Sequence, residues 1–292
     1  MALAKEVICK VIQKIWLTPT VVSIRFEPNK RFKFDPGQFM SVVVPKPFAP
    51  PLSPKRLRRI YSIASAPENG YELSVKITGG PGPAYLASLG KGDVFIASAP
   101  YGDFVFDPQP GRNACFVSTG TGIAPFRSII ESRHFKEHLP ERAMSLFGAR
   151  TTDEILYQGE FAKQGVEEIF AISRPEPAWP GFQGRVTDYL NQLPADWPWH
   201  STQFYLCGSG DMVSEVKKLL KNGRGVPDEA IHAEVYFANR RAPARTDAQD
   251  QERFREILRT PGRGSRVTGL VPTPVESTPL SAVKKRRDDA AA

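Results

Sequence analysis

The stretch Ala114-Cys115-Phe116-Val117-Ser118-Thr119-Gly120-Thr121-Gly122-Ile123-Ala124-Pro125 decides how the second half of this 292-residue chain is built. Residues 114–118 are small or apolar without interruption, the pattern of a strand buried on both faces. Gly120 and Gly122 then allow a tight turn and a close backbone approach, and Pro125 fits the first turn of a helix, where its missing N–H would have no partner. A strand that passes through a glycine turn into a helix leaves free amides at the helix start, and these suit a pyrophosphate. The dinucleotide GxGxxG fingerprint is a different pattern, because Pro125 stands where its third glycine would be.

The same grammar continues downstream. Strands are predicted at Ala143–Phe147, Ile169–Ser173, Gln203–Cys207 and Ile231–Phe237, and helices at Pro125–His134, Glu154–Lys163, near Val186–Asn191 and at Asp211–Lys221. Strands alternating with helices imply a parallel sheet with crossover helices. Upstream the pattern differs. Val7–Trp16, Val21–Phe26, Phe39–Val44, Arg59–Ala64, Tyr71–Ile77 and Val94–Ala99 are short β-like runs, punctuated by Asp35-Pro36-Gly37, Glu68-Asn69-Gly70 and Gly90-Lys91-Gly92-Asp93. They predict an antiparallel barrel or sandwich, with a proline-rich loop at Pro45–Lys55. The change falls at Asp107-Pro108-Gln109-Pro110-Gly111, giving domains at 1–108 and 109–237 and a tail at 238–292.

A hydrophobic content of 41% and a charged content of 24% are ordinary for a globular protein with a sizeable core. Cys9, Cys115 and Cys207 are far apart and form no CxxC pair, which argues against a disulfide framework, a zinc site or a cysteine-ligated iron–sulfur cluster. Cys9 and Cys115 lie in apolar strand-like runs and read as core residues. Charge arrives too early at the N-terminus for a signal peptide, and no apolar run is long enough to span a bilayer, so a cytoplasmic location is expected. Of the net charge of +8, five charges belong to the tail, whose twelve Lys/Arg and seven Asp/Glu sit among Pro, Gly, Ser and Thr. That composition predicts disorder. A solvated extension is preferred over a nucleic-acid, membrane or protein tether.

Strand alternation in Arg59-Ile60-Tyr61-Ser62 puts Arg59 and Tyr61 on one face. A guanidinium offers forked donors to a pyrophosphate, and a tyrosine offers a flat face with a hydroxyl. An exposed Arg beside a core Tyr is the alternative reading of the tetrapeptide taken alone. Its context is informative: Phe34-Asp35-Pro36-Gly37-Gln38-Phe39, Arg59-Ile60-Tyr61-Ser62-Ile63-Ala64-Ser65, Val75-Lys76, Gly79-Gly80, Gly102-Asp103-Phe104, the Gly120–Pro125 turn, Cys207-Gly208-Ser209-Gly210 and Glu234-Val235-Tyr236-Phe237 occur in this order. Over residues 5–237 the series resembles the ferredoxin–NADP reductase family.

That resemblance implies a flavin-binding antiparallel β-barrel followed by a Rossmann-like parallel α/β domain for the nicotinamide nucleotide. It assigns Arg59 and Tyr61 to the flavin phosphate and ring and Ser62 to the neighbourhood of the reactive flavin nitrogen. Ile60, Ile63, Ala64, Ser65, Val75 and Lys76 line the same cofactor. Gly80, Gly82, Ala84 and Tyr85 form a second phosphate-contacting turn. The family usually has Ser or Thr where this chain has Pro83, so a hydroxyl and an N–H are both missing and the amides of Gly82, Ala84 and Tyr85 are left to face the phosphate. Thr119, Gly120, Thr121, Gly122 and Pro125 match the nucleotide loop. Cys207, with Gly208, lies beside the hydride-donating nicotinamide carbon in an orienting role. Glu234 polarises that site, and Tyr236, with Phe237 as runner-up, shields the flavin. Ser173, Arg174 and Arg185 match positions that grip the 2′-phosphate of NADP.

The implied activity is that of a ferredoxin–NAD(P)+ reductase-type flavoprotein, with FAD and NADP(H) as cofactors and Ser62, Cys207 and Glu234 as the catalytic set. Hydride passes from NADPH to FAD, and single electrons then leave to a separate ferredoxin or flavodoxin-like carrier, for which Lys55, Arg56 and Arg58 offer positive charge or serve only as solvated loop charges. A monomer without a specific nucleic-acid partner is expected. Two other readings stay open: an NADH-dependent reductase of an oxygenase system or small acceptor, and a non-catalytic interaction subunit.

Overall fold

A computed structural model describes residues 4–46, 48 and 57–236 of the chain. Lys55, Arg56, Phe237, most of the proline-rich loop and the tail expected at 238–292 lie outside the described residues.

The first sheet is antiparallel and six-stranded. In chain order its strands are β1 (Lys5–Thr18), β2 (Val21–Pro28), β3 (Phe39–Val44), β4 (Leu57–Ser62), β5 (Tyr71–Lys76) and β6 (Val94–Tyr101), arranged β4-β3-β6-β1-β2-β5. A bridge between Ile63 and Leu73 joins the end of β4 to β5 and closes the sheet on itself. The barrel expectation therefore holds over a sandwich. Alternation fills the interior: Val7, Cys9, Val11, Val22, Ile24, Phe26, Met40, Val42, Leu73, Val75, Phe95 and Ala97 are all buried. Helix α1 (Pro81–Ser88) packs Leu86 into this core. Its last carbonyls are capped from β1, where Lys14 Nζ donates to the Ala87 and Leu89 oxygens at 2.6 and 2.5 Å.

The second sheet is parallel throughout. It contains β7 (Asn113–Thr119), β8 (Ala143–Ala149), β9 (Glu167–Ile172), the short β10 (Phe182–Gln183), β11 (Thr202–Ser209) and β12 (Ile231–Tyr236), in the order β10-β9-β8-β7-β11-β12. Helices α2 (Ala124–Glu131), α3 (Arg133–Glu137), α4 (Val186–Gln192) and α5 (Gly210–Lys218) run between its strands. Cys115, Val117, Phe204 and Leu206 pack on one face with residues of α4 and α5. Phe116, Tyr205 and Cys207 pack on the other with Phe126, Ile129 and Phe135, and this second cluster takes in Val21 of β2 and Phe104 and Phe106 of the connecting segment.

Two expectations change. The helix over 125–134 is two helices, divided at Ser132, whose hydroxyl accepts the Phe135 N–H at 3.1 Å and caps α3. The helix predicted at Glu154–Lys163 does not form. Residues 152–154 and 162–164 are single 3₁₀ turns, and Tyr157 and Gly159 have positive φ. Leu156, Tyr157 and Phe161 are buried in the shared cluster, and Glu168 accepts the Gly159 and Phe161 N–H groups at 2.8 and 3.1 Å. Burial of three apolar side chains from an irregular segment outweighs helix propensity there.

Candidate functional site

On β4, Arg59 pairs with Val42 and Tyr61 with Met40, both core residues of β3. Arg59 and Tyr61 therefore share the inward face, while Ile60 is 47% exposed on the outward one. The first turn of α1 lies against them: a Cβ on Gly82 would stand 2.5 Å from the Tyr61 hydroxyl and 2.7 Å from Arg59 Cγ. Any side chain at 82 would force Tyr61 or Arg59 to shift. The Tyr61 hydroxyl is buried without a hydrogen-bond partner, and burial pushes its pKa well up. An orphaned phenol, an adjacent guanidinium and a glycine at the helix start lie side by side here, a set of groups whose chemistry suits an aromatic ligand bearing phosphate.

The amides of α1 correct one expectation. Pro81 and Pro83 have no N–H, and the Ala84 N–H already donates to the Gly80 carbonyl at 3.0 Å. Ala84 is thus not a phosphate donor, and Gly82 is left as the N–H of the first turn. Pro83 costs the helix nothing, because an amide at that position would have no intrahelical partner. Tyr85 directs its hydroxyl toward the Val94 carbonyl at 3.4 Å and its ring toward Phe48. The Val75 side chain is enclosed in the barrel core, which leaves its backbone as the part able to touch a ligand. Lys76 pairs with Glu154 at 3.3 Å. Arg58 lies on the opposite face from Arg59, bound to Glu6 at 3.2 Å and to Ser98 Oγ at 3.1 Å, so its charge is partly neutralised.

At the carboxyl edge of the parallel sheet, two turns interlock. Gly120 has φ +53 and begins a 3₁₀ turn that runs into α2, with Pro125 in the first helical turn. A Cβ on Gly122 would collide with the Cys207 carbonyl oxygen and approach Gly208 Cα at 2.8 Å. One on Gly208 would strike Thr119 Oγ1. The Ser209 N–H faces that same oxygen at 3.4 Å, and the Ser209 hydroxyl caps α5. Thr121 completes the loop between the two glycines.

Cys207 is fully buried, and register places it between Ser118 on β7 and Glu234 on β12. Glu234 in turn hydrogen-bonds Ser62 at the end of β4, and its Oε1 lies 3.9 Å from where a Gly102 Cβ would be. Ser62, Cys207 and Glu234 are therefore brought together from two sheets. Burial raises the Glu234 pKa to about 7, and the Ser62 hydroxyl offsets part of that rise. The second Glu234 carboxylate oxygen and the Ser118 hydroxyl are buried without partners. This is a desolvated pocket of polar groups at a strand end, with a carboxyl poised near neutrality. Tyr236 is the last described residue, paired in register with Ser209.

The second basic group sits at the other end of the sheet, beyond β8. Ser173 and Arg174 follow β9 and are exposed, their N–H groups bonded to the Ala149 and Arg150 carbonyls at 3.1 and 2.7 Å. Arg185, also exposed, opens α4, where its N–H donates to Asp188 Oδ2 at 2.8 Å. Gly148 holds this pole close to the glycine loop: its Cβ would lie 2.9 Å from Val186 and 3.0 Å from Thr119. Ser118 and Arg150 escaped the sequence reading, although each adjoins the carboxyl end of an apolar strand, where ligands gather. Arg127 escaped it too, since Glu72, Tyr157, Glu160 and Ala64, which surround it, are remote in sequence. Among the described residues no group of three His, Cys, Asp or Glu is arranged to hold a metal ion, and no helix is long and apolar enough to cross a membrane.

Residues 116–218 match the family described as the oxidoreductase NAD-binding domain. The chain is 33% identical over 234 residues to ferredoxin–NADP reductase B of Sorangium cellulosum, covering 75% of this chain and 93% of that protein. It is 32% identical over 197 residues to one component of the Na(+)-translocating NADH-quinone reductase of Yersinia enterocolitica, covering 59% of this chain but only 47% of that component. The flavohem-like FAD/NAD binding domain of nitric oxide dioxygenase from Vibrio cholerae superposes with a TM-score of 0.68 at 27% identity, over 79% of this chain and 98% of the domain. The family match lies within the second sheet's region, and the likenesses to the Sorangium and Vibrio proteins extend over both sheets.

Proposed function

Because the chain belongs to the ferredoxin–NADP reductase family, we propose that it is an NAD(P)H-dependent flavin oxidoreductase that takes hydride from NADPH onto FAD and passes single electrons to a separate ferredoxin or flavodoxin-like carrier. The observation that carries this reading is the meeting of Ser62, Cys207 and Glu234 between the strand bearing Arg59 and Tyr61 and the Gly120–Pro125 turn. Arg59 and the Gly82 amide would hold the flavin phosphate, and Tyr61 would lie along the flavin. When bound, the flavin supplies the conversion of a two-electron donor into one-electron steps.

The chain's own residues bind, orient and exclude water. The backbone of Gly120–Gly122 accepts the nucleotide pyrophosphate, and Cys207, enclosed and flanked by Ser118 and Glu234, fixes the ring that approaches Ser62. Protonated Glu234 can donate a hydrogen bond into that pocket, and its ionised form cannot. Ser173, Arg174 and Arg185 favour NADPH, since exposed guanidinium groups at that pole suit a doubly charged 2′-phosphate. The barrel at 1–108 and the sheet at 109–237 serve as the flavin and nucleotide domains, with 238–292 an appended tail.

A reductase that uses NADH is the second reading, favoured by the likeness to the Yersinia quinone-reductase component. Steady-state rates with NADPH against NADH, each with ferredoxin and with ferricyanide, separate the two. A higher kcat/KM with NADPH and turnover of ferredoxin support the first. Preference for NADH without turnover of ferredoxin supports the second.

A further inference from the structure

We propose that Arg127 is a positioning residue for hydride transfer, holding the nucleotide turn at a fixed distance from the flavin strand. It stands in the first turn of α2, two residues after Pro125, and its side chain is only 15% exposed. Nη1 donates to the Ala64 carbonyl at 3.2 Å and lies 3.3 Å from Glu72 on β5. Nε donates to Glu160 at 2.7 Å and lies 3.4 Å from Glu131, and the guanidinium carbon sits 4.6 Å above the centre of the Tyr157 ring. The next residue, Ser128, donates to the Ser65 carbonyl at 2.7 Å. The helix that leaves the nucleotide turn is thus tied to the backbone immediately after Ser62.

The cluster is built so that Arg127 cannot be spared. Glu72 is 6% exposed, accepts the Ser23 hydroxyl at 2.7 Å and has one other cation nearby, the half-exposed Arg25 at 3.7 Å. Tyr157 is hydrogen-bonded to Ser74 on β5. Without the guanidinium, the buried Glu72 carboxylate loses its main counter-charge, and Glu131 and Glu160, which hydrogen-bond one another, are left facing it. The cheapest relief is separation of α2 from β5. That movement carries the Gly120–Gly122 turn away from Ser62, and hydride transfer is sensitive to displacements of about 1 Å. Among the described residues of the cluster, Arg127 alone bonds both the barrel backbone at Ala64 and the carboxylate of Glu160.

This inference rests on the flavin and nucleotide reading, and its test separates the two. Arg127→Met, Arg127→Lys and wild type are compared for flavin content, nucleotide Kd, the rate of anaerobic flavin reduction at saturating NADPH in rapid mixing, and hydrogen exchange of the Ala64 amide, which donates to the Glu72 carbonyl at 2.8 Å. For Arg127→Met the expected result is retained flavin, a Kd changed by less than about threefold, reduction slowed by about tenfold to a hundredfold and faster Ala64 exchange, with partial recovery in Arg127→Lys. Faster exchange with an unchanged reduction rate would make Arg127 a structural brace only and overturn the proposal. Should Arg127→Met fail to fold, Glu160→Gln, which removes a partner whose side chain is 35% exposed, is expected to slow reduction in the same direction. An unchanged rate there overturns the proposal equally. A wild-type protein without flavin would remove the underlying reading, a failure visible before any variant is made.

Discussion

Ser62, at the end of a barrel strand, donates a hydrogen bond to the carboxyl group of Glu234 on the edge strand of the parallel sheet. The bond joins the two halves of the proposed site, and Glu234 is the titrating partner. Its folded pKa of about 7 lies above the ordinary value of 4.5, so the folded state holds the proton more tightly than the unfolded chain does. Glu234 therefore becomes progressively destabilising as pH rises from about 4.5 to about 7, and the penalty is complete above that window. Glu234→Gln, which does not titrate, should match wild type in Tm near pH 4.5 and exceed it at pH 8. Its rate profile should lose an inflection near pH 7. Equal Tm differences at both pH values would show that Glu234 does not titrate in this range.

Tyr61→Phe separates stability from binding. Removing a buried hydroxyl that has no partner should leave the flavin-free protein as stable as wild type, or more stable by about 1–3 kcal/mol. Flavin affinity should fall, because the lost group is the unpartnered hydroxyl proposed to meet the flavin. Denaturant melts of the flavin-free protein and a flavin titration check the two halves. A destabilised variant with unaltered affinity would assign the hydroxyl to structure.

Gly122→Ala introduces a Cβ into the Cys207 carbonyl, a backbone atom that cannot swing aside. A cost of about 1–3 kcal/mol is expected, together with an increase in nucleotide KM of about tenfold or more, since the shifted loop is the one proposed to hold the pyrophosphate. Calorimetry and steady-state rates supply the readings. Normal KM in a destabilised protein would separate this loop from the nucleotide.

Arg174→Ala and Arg185→Ala should each raise the KM for NADPH by about tenfold, the value of one charge-assisted contact of about 1.5 kcal/mol, and leave the KM for NADH within a factor of about two. Both residues are exposed and outside the packed core, so Tm should stay within about 1 °C of wild type. Equal effects on the two nucleotides would contradict a 2′-phosphate role.

Much of this was legible in the residues. Alternation in the first hundred residues and strand–helix alternation afterwards follow from which faces must be buried, and the structure has those two sheets. The Arg59–Ser62 run, the Gly120–Pro125 turn, Cys207 and Glu234 are short local patterns at strand ends, where position alone implies convergence. Other features are tertiary in origin. The segment 154–163 has apolar residues at helical spacing, and only its packing against Phe147 and its neighbours explains the irregular path of Tyr157. The Ala84 amide looked available until the helix register committed it to Gly80. The ion cluster of Arg127 draws on Glu72 and Glu160, and the raised pKa of Glu234 depends on burial that no neighbouring residue in sequence reveals.

The most direct test is anaerobic titration of the purified protein with NADPH and with NADH, followed by absorbance. The account predicts a yellow protein whose flavin bands bleach on addition of NADPH, more slowly with NADH, and return when an oxidised one-electron acceptor is added. A colourless protein that does not take up FAD, or a flavin spectrum that neither nucleotide changes, would contradict it.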